Sequence, residues 1–315
     1  MGKTDRRCIS VVVPTYNEEQ NVRALCKALV GQFEKDLPQY DYEILFIDNC
    51  STDGTRTKLR ALCAENGRVK AILNARNFGQ FSSPYYGLCQ VAGDCAVLMC
   101  ADFQDPVELL PALVKKWEEG HAVVCAVKTQ SEENALLRLL RSFYYKLIRK
   151  ASSVEHIEHF TGFGLYDRRF LDVLRTLDDP TPFLRGVVAE LGFARCEVPY
   201  TQRKRRAGRT SNNYKTLYDA AMASFTTYTA TPIRAMMAVG LLCCLAAVFG
   251  GTWCAFSHFR GHGTGLLPLC SLLLALFGVQ SIFLSVLGEY LLTLRSKTLR
   301  RPLVIEEERI NFEER

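Results

Sequence analysis

The stretch CAVLMCADFQDPVE, Cys95 to Glu108, is where the fold is decided. An apolar run of strand length ends on Asp102, with Gln104 and Asp105 behind it and Pro106 breaking the chain. Two readings compete for this polar cluster. One is a turn in which Asp105 caps a helix opening at Pro106; the other is a strand end where a cation and a ligand meet. Working outward, the same pattern recurs. ISVVVP runs to Pro14, YEILFI to Asp48, and VKAILN to near Arg76. Between them, EEQNVRALCKALVGQFEK places Val22, Leu25, Leu29 and Phe33 on one helical face, and STDGT offers Ser51 or Thr52 as the cap of the next helix. Apolar strands separated by amphipathic helices predict an α/β fold with a parallel sheet covered on both faces. Ligands bind such sheets outside the carboxyl ends of the strands. PTYNEE, DNCSTDGT and ADFQDP therefore converge on one crevice, which favours the ligand reading.

The totals narrow the class. Of 315 residues 48% are hydrophobic, enough for a sizeable core, and the formal charge of +6 matters only where it is concentrated. Thirteen cysteines are scattered through apolar runs without a CxxC pair, which favours thiols used as small hydrophobes over disulfides or zinc. MGKTDRRC opens without an apolar signal region, and Arg6 stands where a myristoylation motif needs Ser or Thr. No GxGxxG or GxxxxGK[ST] loop occurs, which excludes the dinucleotide and P-loop readings.

The last third reads for a different solvent. Ala235 to Phe259 and Gly261 to Gly288 contain no Asp, Glu, Lys or Arg apart from the Arg260 between them. A helix crosses a hydrocarbon core of about 30 Å in roughly 20 residues, so each run predicts a transmembrane helix, over about 233–257 and 266–291. Arg234 precedes the pair, and Arg295, Lys297, Arg300 and Arg301 follow it, which puts both the N-terminal part and the C-terminal tail in the cytoplasm. The expected organisation is an α/β domain over 1–210, an interfacial segment over 211–232, a two-helix hairpin over 233–294 and a cytoplasmic tail over 295–315. Small residues in the spans permit self-association as a homo-oligomer.

At the crevice, Asp102 and Gln104 offer oxygen ligands to a hard divalent cation, Mg²⁺ or Mn²⁺, which usually also holds substrate phosphates. A cation and a diphosphate without a P-loop point to a nucleotide-sugar donor. On the acceptor side, ENALLRLLRSFYYKLIRKAS (133–152) pairs a Leu, Phe and Ile stripe with Arg and Lys, as an interfacial helix does; an ordinary surface helix packed on the sheet is the alternative. Arg138 and Ser142, four apart, lie on one face and can share a phosphate. QRKRRAGRTSNNY (202–214) is a dense cationic loop just ahead of the predicted spans, where a bilayer phosphate suits it better than nucleic acid. His156 and His159 lack a third ligand and make a weak metal site.

The segments VVVPTYNEE, IDNCSTDGT, ARNFGQ, GDCAVLMCADFQDP, FGLYDRR, RRAGRTS, LGEY and RRP resemble, in order, family 2 glycosyltransferases of the membrane-bound polyprenyl-phosphate type, the relatives of dolichyl-phosphate mannose synthase. The resemblance implies a GT-A-like, Rossmann-type, mostly parallel sheet followed by the transmembrane hairpin. It implies that Pro14, Tyr16 and Glu18 contact the nucleotide, that Asp48 and Asn49 lie by its base or ribose, that Arg76 also binds the nucleotide-sugar, and that Asp102 and Gln104 hold the cation. It makes Arg205 the lipid-phosphate arginine, supported by Arg203 and Thr210 together with Arg138 and Ser142, and Asp102 and Arg205 the catalytic pair.

The chain departs from the family pattern in three places. Cys100 stands where an Asp is usual, Asn49 replaces the second acid of an Asp-Asp pair, and TGFG, with Gly162 and Gly164, replaces Gly-Asp-Phe-Arg. Cys100 is expected to be a buried bystander rather than a thiolate ligand. The implied activity is transfer of a hexose or related sugar from a nucleotide diphosphate to an undecaprenyl-type polyprenyl phosphate, with inversion, at the cytoplasmic face of a bacterial-type inner membrane. The rivals are a transferase using another lipid acceptor, such as diacylglycerol, and a degenerate member that scaffolds a membrane complex.

Overall fold

The computed structural model describes residues 6–130, 157, 159–177, 179, 182–203, 205–206 and 302–312, together with twelve helical positions between 273 and 294. Chain contacts divide it into two compact units. One comprises Met1–Ser142, Glu155–Tyr214 and Leu299–Arg315, and the other Phe143–Val154 and Lys215–Thr298.

The first unit is an eight-stranded sheet with helices. Strands β1 (Cys8–Thr15), β2 (Asp41–Asp48), β3 (Val69–Asn74) and β4 (Cys95–Leu98) alternate with helices α1 (Val22–Asp36), α2 (Thr55–Glu65) and α3 (Gly79–Gln90). A 3₁₀ turn at Val107–Leu109 leads into α4 (Leu110–Glu118), followed by β5 (Val123–Gln130), β6 (Phe160–Asp167), α5 (Arg168–Thr176), α6 (Leu184–Glu190), β7 (Arg195–Thr201) and β8 (Glu306–Ile310). The strand order is β7-β5-β6-β4-β1-β2-β3-β8. Continuous apolar runs in β1 and β2 bury both faces: Val11 and Val13 pack in one cluster with α1, Val12 and Leu45 in another with α3 and α5. The predicted α1 face of Val22, Leu25, Leu29 and Phe33 is buried.

Two expectations need correcting. The sheet is mixed: β1–β2, β1–β4, β2–β3 and β5–β7 pair in parallel, whereas β3–β8, β4–β6 and β5–β6 are antiparallel. Periodicity detects strands but not their direction, and the antiparallel pairs come from strands outside the regular alternation. Secondly, part of the expected tail is not separate from the α/β domain. Residues 306–310 form its edge strand, bonded to β3 with Ala71 opposite Ile310 and Leu73 opposite Glu308.

The second unit is described only at positions between 273 and 294, all helical. There Leu284, Leu287, Leu291 and Leu294, three and four apart, are exposed large apolar residues, as are Leu273 and Phe283. Among the described residues no helix is long and apolar enough to cross a membrane. Residues 211–270, which include the first expected span, lie outside the described residues, and the second span is described only at those positions.

Candidate active site

The carboxyl ends of β1, β2 and β4 each turn out of the sheet through one left-handed non-glycine residue: Asn17 (φ 57°), Cys50 (φ 63°) and Phe103 (φ 61°). Asn tolerates this conformation, while a Cys or a Phe is held there at a cost of about 1–3 kcal/mol, typical of strained backbone at functional sites. A web of hydrogen bonds locks the first two loops together. Asn17 N–H donates to Ser51 Oγ (2.9 Å), Thr52 N–H to Asn17 Oδ1 (2.8 Å) and Glu18 N–H to Thr55 Oγ1 (2.9 Å). Neither Ser51 nor Thr52 caps α2, whose N-cap is Gly54. Ser51 is instead drawn to Asp48, and the Asp53 carboxylate accepts from Thr55 N–H at 3.0 Å.

Asp48 is fully buried. It accepts from Ser51 N–H (3.0 Å), the Ser51 hydroxyl and Arg56 Nε (2.8 Å). Asn49 is the hub of the next loop. Its amide donates to Asn77 Oδ1 (2.9 Å) and Gly79 O (3.1 Å), and its Oδ1 accepts from Phe78 N–H (2.8 Å), Ser83 Oγ (2.9 Å) and Asn74 Nδ2 (3.3 Å). The amide both donates and accepts here, and the acid usual at this position would lose the two donated bonds. Arg76 is exposed and stacks on Phe78, guanidinium carbon 4.0 Å from the ring centroid. Tyr16 is exposed, and Pro14 and Glu18 are half-buried.

The third loop holds the proposed cation ligands. Asp102 is buried, and its two oxygens accept from Gln104 N–H (3.1 Å) and from Arg205 Nε (2.8 Å). The arginine and acid expected on opposite sides of the reaction thus form one ion pair. The basic segment is sewn to this loop through its backbone: Arg203 N–H donates to Gln104 O and Arg206 N–H to Asp102 O, both at 3.3 Å. Arg203 also pairs with Glu108 at 3.2 Å. Burial first, then the Asp102 charge, pushes the Glu18 carboxyl above its ordinary range against the Asn21 amide and Arg205, so Glu18 shares the field of this pair.

Asp105 does not cap a helix at Pro106. It is buried behind Asp102, accepting from Cys100 N–H (2.9 Å) and the Tyr200 hydroxyl (3.1 Å), and burial raises its pKa although these donors oppose it. Cys100, past the carboxyl end of β4, is exposed as a residue although its thiol lies in packed protein beside Asp105. The protein packed around its thiol, with the Asp105 and Asp102 charges, raises that pKa far above 9 and disfavours a thiolate.

Gly162 and Gly164 are backbone positions. Gly162 has φ +101°, and a Cβ on Gly164 would fall on the Val124 carbonyl oxygen, leaving no room for the family's arginine. Arg138, Ser142, Thr210 and His156 lie outside the described residues. Sequence reading missed Arg56, Tyr200 and Glu307. Arg56 is the second residue of an amphipathic helix, and the others lie 95 and 251 residues from their partners, so no local pattern marks them.

Residues 10–175 match the glycosyl transferase family 2 profile. The chain belongs to this family. It is similar to the prophage bactoprenol glucosyl transferase homolog of Escherichia coli (strain K12), 31% identical over 300 residues, covering 94% of this chain and 97% of that one. The putative glycosyltransferase CsbB of Bacillus subtilis (strain 168) is 31% identical over 297 residues, 93% of this chain and 89% of that one. A crystal structure of glucosyl-3-phosphoglycerate synthase from Mycobacterium tuberculosis, in complex with Mn²⁺, UDP and glucosyl-3-phosphoglycerate, is 20% identical, covering 70% of this chain and 78% of that chain with a TM-score of 0.47. The protein is a family 2 glycosyltransferase, and the crevice above β1, β2 and β4 is its candidate active site.

Proposed function

We propose that this glycosyltransferase moves a hexose from a nucleotide diphosphate to polyprenyl phosphate, and that the hexose is glucose, as the name of the Escherichia coli relative indicates. The observation that carries the reading is the 2.8 Å contact between Asp102 and Arg205. It brings the acid suited to a cation beneath the diphosphate next to the arginine suited to an acceptor phosphate, where two anions must be held together.

The donor set fits a hard divalent cation. Asp102 and Gln104 are oxygen donors two residues apart, and a carboxylate that accepts two hydrogen bonds keeps lone pairs free. Such a cation, Mg²⁺ or Mn²⁺, takes its other ligands from water and substrate phosphates. When bound it would neutralise charge on the departing diphosphate. The chain's own residues do the rest. Asn49 and its loop shape the donor side, and Arg205 and Arg203 orient the acceptor phosphate.

A lipid phosphate, with a second pKa of about 6, is already largely dianionic at neutral pH. Its oxygen bonds to the anomeric carbon as the bond from that carbon to the diphosphate breaks, so the configuration inverts. No proton needs to be removed, and the site works by positioning and charge. The exposed apolar face over 273–294 and the two uncharged runs support a membrane hairpin, with the α/β domain and β8 on the cytoplasmic side.

The test uses the full chain in detergent with Mg²⁺ or Mn²⁺, a panel of labelled nucleotide-sugars, and short polyprenyl phosphate or diacylglycerol as acceptor. Label is expected in polyprenyl phosphate. Label in diacylglycerol instead would replace the acceptor. Absence of transfer across the panel by folded protein would favour a scaffold.

A further inference from the structure

The edge strand β8 returns to the sheet after residues 215–298, and its contacts reach the donor side. Arg56 is the link. Its guanidinium meets three groups: Asp48 at 2.8 Å, the backbone oxygen of Asn74, and Glu307 of β8 at 2.9 Å. Asn74 ends β3, and its side chain donates to Asn49 and Ser83. One cation therefore ties the end of β2, the end of β3 and the C-terminal strand. The β3–β8 ladder is irregular between Leu73 and Asn74, at the point where Arg56 bonds, and Ile305 O accepts from Ala75 N–H at 2.9 Å just beyond it.

We propose that Glu307 is a positioning residue for nucleotide-sugar binding, acting through Arg56 on Asp48 and on the loop that Asn49 organises. The inference rests on the donor-side assignment above. Arg56 has three directions in which to be pulled, and without Glu307 it can turn wholly toward Asp48 and Asn74, shifting both strand ends. Glu307 is 55% exposed in its side chain, so as a mere surface ion pair it would contribute little to stability. Its consequence is positional, and it falls on donor binding rather than on folding.

A neighbouring pair supplies the control. Glu308, the next residue of β8, bonds Arg60 at 3.0 and 2.6 Å, and Arg60 lies one turn further along α2. Glu308→Ala loosens β8 at least as much as Glu307→Ala but leaves Arg56, Asp48 and Asn74 tied. The full chain, its Glu307→Ala, Glu307→Asp and Glu308→Ala variants are compared in detergent. Donor KM is measured at saturating polyprenyl phosphate, acceptor KM at saturating donor, and binding of the nucleotide-sugar that the panel identifies as donor by calorimetry. For Glu307→Ala, donor KM and the Kd of that nucleotide-sugar are expected to rise about five-fold with kcat within about two-fold and acceptor KM unchanged, the signature of lost ground-state binding. Glu307→Asp should recover part of this, and Glu308→Ala should match wild type.

Equal effects from Glu307→Ala and Glu308→Ala would reduce Glu307 to a structural strand residue and overturn the proposal, as would an unchanged donor KM and Kd. Wild-type protein that neither binds nor uses any nucleotide-sugar would instead overturn the functional reading, and the proposal with it.

Discussion

At the amino end of the sheet, Glu43 of β2 is a buried carboxylate with every partner fixed. It accepts from Ser10 Oγ and Ala92 N–H, both at 2.6 Å, and from Gly93 N–H at 3.2 Å, and it pairs with Lys70 at 2.7 Å. At the carboxyl end, in the loop that follows β4, Asp102 and Asp105 are just as buried. At Asp105 and at Glu18 beside them the surroundings act the other way. Burial pushes the Glu43 carboxyl up, but Lys70, Ser10 and the Ala92 N–H outweigh it and hold the pKa below its ordinary value. For Asp105 and Glu18 burial wins, and their pKa values are raised. Burial does not separate a structural acid from a working one. The difference between the two ends lies in whether the neighbours outweigh the cost of burial, as they do for Glu43, or fall short of it, as at Asp105 and Glu18.

Removing one acid from each end should have opposite consequences. Asp102→Ala is expected to lower transfer by about 10²–10³-fold, the scale set by removing a group that stabilises transition-state charge, with little change in the unfolding midpoint. Turnover with labelled nucleotide-sugar and thermal unfolding check both halves. Glu43→Ala should do the opposite. It strands the donors of Ser10, Ala92 and Gly93 and leaves Lys70 half-buried without its partner, a loss of about 3 kcal/mol read from the urea midpoint, with turnover per folded molecule unchanged. A Glu43→Ala variant of normal stability, or one that is stable but inactive, would erase the distinction.

Asn49→Asp tests the same contrast from within the carboxyl end. The substitution brings back the acid usual in the family, yet in this chain it turns two donated bonds, to Asn77 Oδ1 and Gly79 O, into oxygens facing oxygens. Donor KM should rise about ten-fold, in line with roughly 1–3 kcal/mol for buried polar groups left unpaired, while acceptor KM holds. Improved donor use would mean that the loop rebuilds around the acid.

The outline of the α/β unit was legible because β1, β2, β3 and β4 each carry an apolar run that is followed by a polar residue. Asp48 and Asp102 could be placed at one edge on that basis alone. The direction of β6 and the return of β8 were not legible. Glu306–Ile310 is a charged segment, EEERI, which becomes a strand because β3 offers an open edge and Arg56 and Arg60 offer counter-charges. Turn chemistry misled at Ser51, and the rival reading of Asp105 as a cap fails, for a related reason. Both have the right spacing to cap a helix, and both are claimed by tertiary partners, Asp48 for one and Cys100 with Tyr200 for the other.

The smallest expected effect is in the pH dependence of stability, where the two ends should oppose each other. Glu43 has a folded pKa below its ordinary 4.5, so its contribution is fully present above pH 4.5 and is lost as pH falls through the folded value. Asp105 has a folded pKa above its ordinary 3.8, so the native state holds a proton that the unfolded chain has already released. Stability linked to Asp105 therefore declines as pH rises from 3.8 through the folded value. Urea midpoints across this acid range should show Glu43→Gln flattening the fall in stability at low pH. Asp105→Asn, whose amide oxygen can still accept from Cys100 N–H, should gain on wild type as pH climbs from 3.8. If the two variants shift the profile in the same direction, the carboxylates at the two ends experience the same surroundings.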